Sequence, residues 1–241
     1  MALVQKEIIG EEEIFYLKCG ELTLGINAQR GCEISSLVFN KLELIHRALD
    51  FSPPENGGWY GHGQLLFPSV GRCKDGVYSF PDGAPPRPMS IHGFLMNAPF
   101  TETTSGTDDQ GAFSTFIHEH GGSEIFPFHF SLEITFRVSF EGIVTASHKV
   151  SNVSPDEHLL PFAIGNHITL KYPFEPDLQG ASWSAGRLLS TCTHEHLLTS
   201  TSLLSGDVQF RPEFQSSTGL SLTIPCATNG VLGSILFVRT G

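Results

Sequence analysis

"FHFSLEITFRVSF", Phe128 to Phe140, decides the fold. Phe128, Phe130, Leu132, Ile134, Phe136, Val138 and Phe140 occupy every second position. In an extended chain successive side chains point to opposite faces, so this spacing gathers all of them on one side of a strand. Glu141-Gly142 then supplies a turn, and "IVTASHKV" reads as the returning strand of a hairpin. Upstream, Leu22, Leu24 and Ile26 alternate in "ELTLGINAQ". "CEISSLVF", "GAFSTFIHE", "GLSLTI" and "GSILFVRT" are further strand candidates. Helical periodicity is nearly absent, and 25 Gly and 15 Pro break the chain into short elements. The pattern predicts an all-β protein: a large antiparallel β-sandwich with few or no helices. Neither a linker nor an internal repeat divides the sequence, so residues 1–241 are expected to form a single domain.

Composition narrows the function. Of the side chains, 25 are acidic and 14 basic, giving a formal charge of −11. Such a surface is a poor match for nucleic acid or an anionic membrane. It also argues against a heavily phosphorylated substrate, which would call for an Arg cluster. The five cysteines are dispersed and odd in number, as expected of reduced thiols. The N-terminal stretch has no signal-peptide core, and no apolar run approaches a membrane span. A cytoplasmic protein, monomer or homodimer, is the expectation.

"LLPFAIGNHITL", Leu159 to Leu170, is apolar yet carries Gly165, Asn166 and His167. If it is a buried strand, Leu160, Phe162, Ile164, Ile168 and Leu170 share one face with Asn166. Pro161, Ala163, Gly165, His167 and Thr169 share the other face with Leu159. His167 therefore leaves from a side of mostly small residues, where a ligand has room. A locally bonded structural histidine is the competing reading. His92 follows a Pro-rich loop and precedes Gly93, a pair that can set an imidazole where backbone passes close to a substrate. Arg72 follows Gly71 and could donate to sugar hydroxyls or a carboxylate; a surface salt bridge is the plainer alternative. His118-Glu119-His120 and His194-Glu195-His196 each place two imidazoles on one strand face. Neither has a third ligand at close spacing, so solvated strand ends rather than a metal site are expected. "FSPPENGGWYGHG" and "FPDGAPPRP" are long Pro/Gly loops of the kind that carry function on a rigid scaffold.

Taken in order, these stretches resemble the aldose 1-epimerase (galactose mutarotase-like) family. "LTLGINAQRGCEISSLVFN" resembles its opening strand pair, with Gly31 at the turn. "LLFPSVGRCKDGVYSF" resembles its Pro-x-x-Gly-Arg segment and "SIHGF" its His-Gly-Phe motif. "FPFHFSLEITFRV" resembles its Pro-Phe-x-Phe strand, and "VSNVSPDEHLLPFAIGNHITL" the strand leading to its Gly-x-His motif. The resemblance implies the supersandwich form of the β-sandwich, with a concave sugar site. It implies cofactor-free, metal-free interconversion of the α and β anomers of a hexose, with a small sugar as the partner. His167 would be the general acid at the ring oxygen, and His92 would bind and orient the sugar there. Arg72, Asn166 and Asp207 would bind substrate.

Ring opening needs one group to take the C1 hydroxyl proton while another protonates the ring oxygen, and an imidazole suits the second task. Two departures stand out. Ile168-Thr169-Leu170 follows the histidine where many relatives have Pro and an aromatic. The family's base is a Glu on a strand following one that resembles "GSILFVRTG", and no Glu here matches it; the last is Glu213. Lack of the family's C-terminal strands is therefore the expectation. Three other readings stand beside the epimerase: a non-catalytic carbohydrate-binding sandwich, a hexose-6-phosphate mutarotase, and a structural sandwich without ligand. Proximity of Arg72, His92 and His167 separates the last from the rest.

Overall fold

Alternating apolar side chains build two antiparallel sheets. The structure, a computed structural model, describes residues 1–55, 60–80, 85–155 and 159–169, and after them the backbone of four short strands. The first sheet is a meander of β1 (Ala2–Ile9), β2 (Glu12–Cys19), β3 (Leu22–Asn27), β4 (Glu33–Phe39) and β5 (Leu42–Glu43). Next come β6 (Gly63–Leu66) and the small pair β7 (Val77–Tyr78) and β8 (Arg87–Pro88). The second sheet contains β9 (Thr101–Thr107), β10 (Gly111–Gly121), β11 (His129–Ser139) and β12 (Val144–Asn152), in the order β12-β11-β10-β9. β13 (Gly165–Ile168) returns to pair with β6. β14 (Ser184–Ala185), β15 (Pro212–Glu213), β16 (Ser221–Thr223) and β17 (Phe237–Arg239) form a further antiparallel sheet. Among the described residues the only helical turns are two short 3-10 turns, Lys74–Gly76 and Leu95–Asn97. None is long and apolar enough to cross a membrane.

The hairpin read from Phe128 to Phe140 is β11 and β12, joined through Phe140 to Ile143. Phe130, Leu132, Ile134, Phe136 and Val138 are buried, and the residues between them are half-buried. The alternation runs past the strand at both ends. Phe128 is buried just ahead of it, but Phe140 sits in the turn and is 56% exposed. Turn geometry, not hydrophobicity, decides that last position.

The core lies between the sheets. Phe15 of β2 meets Phe116 of β10 edge-on, with centroids 4.9 Å apart, and Phe67 after β6 tilts against Phe130 at 4.8 Å. Such aromatic pairs add roughly 0.5–1.5 kcal/mol beyond the area they bury. At the sheet edge Lys6 Nζ reaches Glu102 Oε2 at 2.8 Å and lies over the Phe15 ring. Gly31 lets the β3–β4 turn dock on the Leu95–Asn97 turn: its φ is +67°, its N–H donates to Ala98 O at 2.9 Å, and a Cβ would run into the Leu95 carbonyl. Cys19 and Cys32 are buried thiols and Cys73 is half-buried. Burial pushes the Cys32 thiol well above its ordinary value, so it stays protonated and inert.

Phe130→Ala should lower unfolding stability by about 3–5 kcal/mol, the usual cost of an emptied aromatic site. Phe140→Ser should change it by less than about 0.5 kcal/mol. Urea denaturation followed by circular dichroism distinguishes the two.

Candidate active site

β6 and β13 form a two-stranded ladder with Gly165 opposite Leu66, Asn166 opposite Leu65, His167 opposite Gln64 and Ile168 opposite Gly63. Opposed residues of an antiparallel pair share a face. One face carries Leu65, with Phe67 beyond it, and is sealed by Ile164 and Ile168 against the core. The other carries Gln64, Leu66, Gly165 and His167. The alternation expected for Leu159 to Leu170 is therefore present over Gly165–Ile168, but the segment is less buried than expected. Only Gly165–Ile168 is strand, Leu159 is 68% exposed, and no residue from 159 to 169 is fully buried.

Long-range hydrogen bonds hold this segment. Ala163 N–H donates to Pro68 O at 2.8 Å, Thr169 N–H to His62 O at 2.6 Å, and His46 N–H to Thr169 O at 2.9 Å. Tyr78 Oη donates to Pro161 O at 2.9 Å. Burial, aided by Cys73, pushes the Tyr78 phenol up to about 12, so it remains a donor throughout the working range.

His92 reaches the same face from another direction. Phe67 N–H donates to His92 O at 3.2 Å, and Phe67 O accepts Phe94 N–H at 3.0 Å. Gly93 crosses Phe67 so closely that a Cβ would collide with the Phe67 carbonyl, and its φ is +79°. His92 is itself left-handed, with φ of +67°. Gly71 clamps it twice: His92 N–H donates to Gly71 O at 2.8 Å, and Gly71 N–H donates to His92 Nδ1 at 3.1 Å.

The outcome is a pair of imidazoles. The rings of His92 and His167 meet edge-to-face, 5.3 Å between centroids and 77° between planes. Nδ1 of His92 accepts a hydrogen bond, so its neutral ring carries the proton on Nε2. Burial, then His167, then Arg72 hold its pKa below the ordinary 6.5. Folding therefore favours the neutral ring. That contribution to stability is intact above about pH 6.5 and is lost as pH falls toward the lowered value.

Arg72 is exposed and close enough for its charge to act on His92. Arg72, His92 and His167 are thus brought together. Asn166 is not: it occupies the alternate position on β13, and its Nδ2 donates to Gly63 O at 2.9 Å. Asp207 lies outside the described residues, as does the second His-Glu-His triplet. In the first triplet, His118 Nδ1 contacts Pro99 O at 2.9 Å and His120 Nε2 contacts Phe126 O at 3.1 Å. Their rings pack on Phe100 and Phe130 respectively, so both belong to an aromatic layer rather than to a solvated strand end. Among the described residues no group of three His, Cys, Asp or Glu is placed to hold a metal ion.

Two buried polar features escaped the sequence reading. Glu33 and His62 are both fully buried and paired through Oε1 and Nδ1, while His62 Nε2 contacts Arg47 O at 2.9 Å. Gln64, two residues on, is 3% exposed. The one available signal was a glutamine inside the apolar run "GQLLF".

The antiparallel β-sandwich that carries these residues is a galactose mutarotase-like fold, as solved structures show. A structure of a galactose mutarotase-like protein from Clostridium acetobutylicum superposes with a TM-score of 0.60 at 18% identity, covering 98% of this chain and 76% of that one. One from Lactobacillus casei gives 0.55 at 22%, covering 92% and 67%. The Slr1438 protein from Synechocystis sp. PCC 6803 gives 0.61 at 15%, covering 100% and 85%. The family model for aldose 1-epimerase matches residues 23–218, and the chain belongs to that family. A comparison with curated proteins found no match.

Gly93→Ala should unseat His92 by forcing the Phe67 crossing apart, visible as loss of the His92 imidazole shift in NMR and a fall in melting temperature. In His167→Gln the His92 titration midpoint, read from its ring proton shifts, should move up toward 6.5, because one of the influences that lower it is gone.

Proposed function

We propose that the protein is an aldose 1-epimerase acting on a hexose, with His167 as general acid. The observation that carries this reading is the His92–His167 ring contact at 5.3 Å on one face of the β6–β13 ladder. His167 gives its proton to the ring oxygen as the C1–O5 bond breaks and the C1 hydroxyl proton passes to a base. The product is the open-chain aldehyde. Rotation about C1–C2 and attack of the C5 hydroxyl on the other face of the aldehyde reclose the ring; the C5 hydroxyl proton returns to His167 and the base returns its proton to the carbonyl oxygen, which becomes the C1 hydroxyl. His92 is neutral with the proton on Nε2, a donor that orients the ring oxygen without competing as an acid. Arg72 offers a planar fork of N–H donors to neighbouring hydroxyls. Asp207 completes the proposed sugar contacts, while Asn166, on the other face of β13, does not join them. No cofactor or metal enters this scheme.

The base is the step on which rate depends. Water can take the C1 proton slowly and a carboxylate faster. Polarimetry of α-glucose and α-galactose tests the reading. Wild-type protein should speed mutarotation above the buffer rate, and His167→Ala should reduce the enzymatic part by about 10²-fold or more. Sugar binding with no acceleration would make the protein a carbohydrate-binding sandwich. Acceleration confined to glucose 6-phosphate would make it a phosphosugar mutarotase. A wild type that neither binds nor accelerates any of these sugars would end the proposal.

A further inference from the structure

Glu33 and His62 are fully buried, and the proposed chemistry uses neither. Arg47 O can only accept, so His62 Nε2 donates to it, at 2.9 Å. His62 Nδ1 faces Glu33 Oε1, and one proton lies between them. The Phe51 ring lies across the imidazole at 74°, with centroids 5.3 Å apart. A buried ionic pair of this kind adds little stability over a well-packed apolar pair, and its best-attested use is to fix a register. The backbone around the pair is the end of the β6–β13 ladder. His62 directly precedes β6, and its carbonyl accepts Thr169 N–H at 2.6 Å. Thr169 O accepts His46 N–H at 2.9 Å. The peptide groups of Thr169 are thus gripped by His62 and His46, while the His62 ring bonds the carbonyl of Arg47, the residue after His46. Glu33 ties this closed circuit to β4, which β6 approaches so closely that a Cβ on Gly63 would stand 2.8 Å from Ile34 Cβ. Thr169 lies two residues beyond His167.

We infer that Glu33 and His62 are positioning residues for His167, pinning β13 in the register that sets its imidazole against His92; for its effect on rate this rests on the sugar-site reading above. Neither residue touches the sugar. Ile164 and Ile168 hold β13 on the core by apolar contact, which tolerates a shift along the strand. Directional bonds at the ladder's end do not tolerate it. A small displacement there moves the acid relative to the ring oxygen, which costs rate far more than it costs binding.

The test compares wild type, Glu33→Gln and the double variant Glu33→Met/His62→Phe. The Gln amide can donate to Nδ1 and leave Nε2–H on Arg47 O, so Glu33→Gln keeps every bond without the carboxylate. The double variant replaces both partners by apolar groups of similar shape, a change that can be nearly neutral for stability. Three quantities are read: melting temperature, the NOE between the His92 and His167 ring protons, and kcat and KM for glucose mutarotation by polarimetry. Glu33→Gln should match wild type in all three. The double variant should fold, lose the NOE, and drop kcat about tenfold while KM changes less than about twofold. A double variant that keeps the NOE and kcat would overturn the inference, as would equal losses in Glu33→Gln. A double variant that fails to fold marks a pair that serves stability alone, and overturns it too. A wild type without mutarotase activity removes the sugar-site reading, while the NOE still decides whether the pair sets the ring geometry.

Discussion

The candidate site hangs on Phe67. Its ring is locked in the core against Phe130, and its backbone reaches outward to both halves of the site. One residue earlier, Leu66 ends β6, the strand whose ladder carries His167. Its own N–H and C=O hold His92 and Phe94, across a glycine that must be a glycine. The geometry between two imidazoles is therefore fixed by peptide groups rather than by the imidazoles themselves. A buried aromatic anchors those peptide groups, so site precision is inherited from core packing.

Much of this was legible in the sequence where periodicity could speak. The alternation from Phe128 to Phe140 gave strand, face and hairpin, and erred only at the turn, where Phe140 is exposed. The spacing around His167 gave the correct two faces of β13, because side-chain alternation survives even in a short strand. Family resemblance joined His92 to His167 before any geometry did. What stayed hidden depends on long-range pairing. β6 is only Gly63–Leu66 and buried on both faces, so it has no period to read. The pairing of Gln64 with His167 is a register between segments about a hundred residues apart, which no local pattern encodes. Burial of Glu33 with His62 is equally invisible, since a carboxylate in "CEISSLVF" reads as an ordinary solvent-facing position.

The His-Glu-His triplets show how a motif can mislead. Two imidazoles on one strand face look like half a metal site. In β10 each ring instead contacts a backbone carbonyl and lies on a phenylalanine. Burial, against the pull of the Phe126 carbonyl, holds the His120 pKa below its ordinary value, which keeps that ring neutral within the aromatic layer. Histidine serves there as a flat ring with one polar corner, a use that phenylalanine could not fill at the layer's edge.

The β6–β13 register makes the site tolerant of length and intolerant of phase. Loop closure entropy grows only logarithmically, so each doubling of an intervening loop costs only about 0.6 kcal/mol. The chain between His92 and His167 can therefore lengthen in its turns at small cost to the fold. A single-residue slip in the ladder is different in kind. It would turn His167 toward the core and bring Asn166 into its place, with nearly every backbone hydrogen bond remade. Drift in this protein is thus free to rewrite its loops, while the parity of four residues in β13 is the quantity it must conserve.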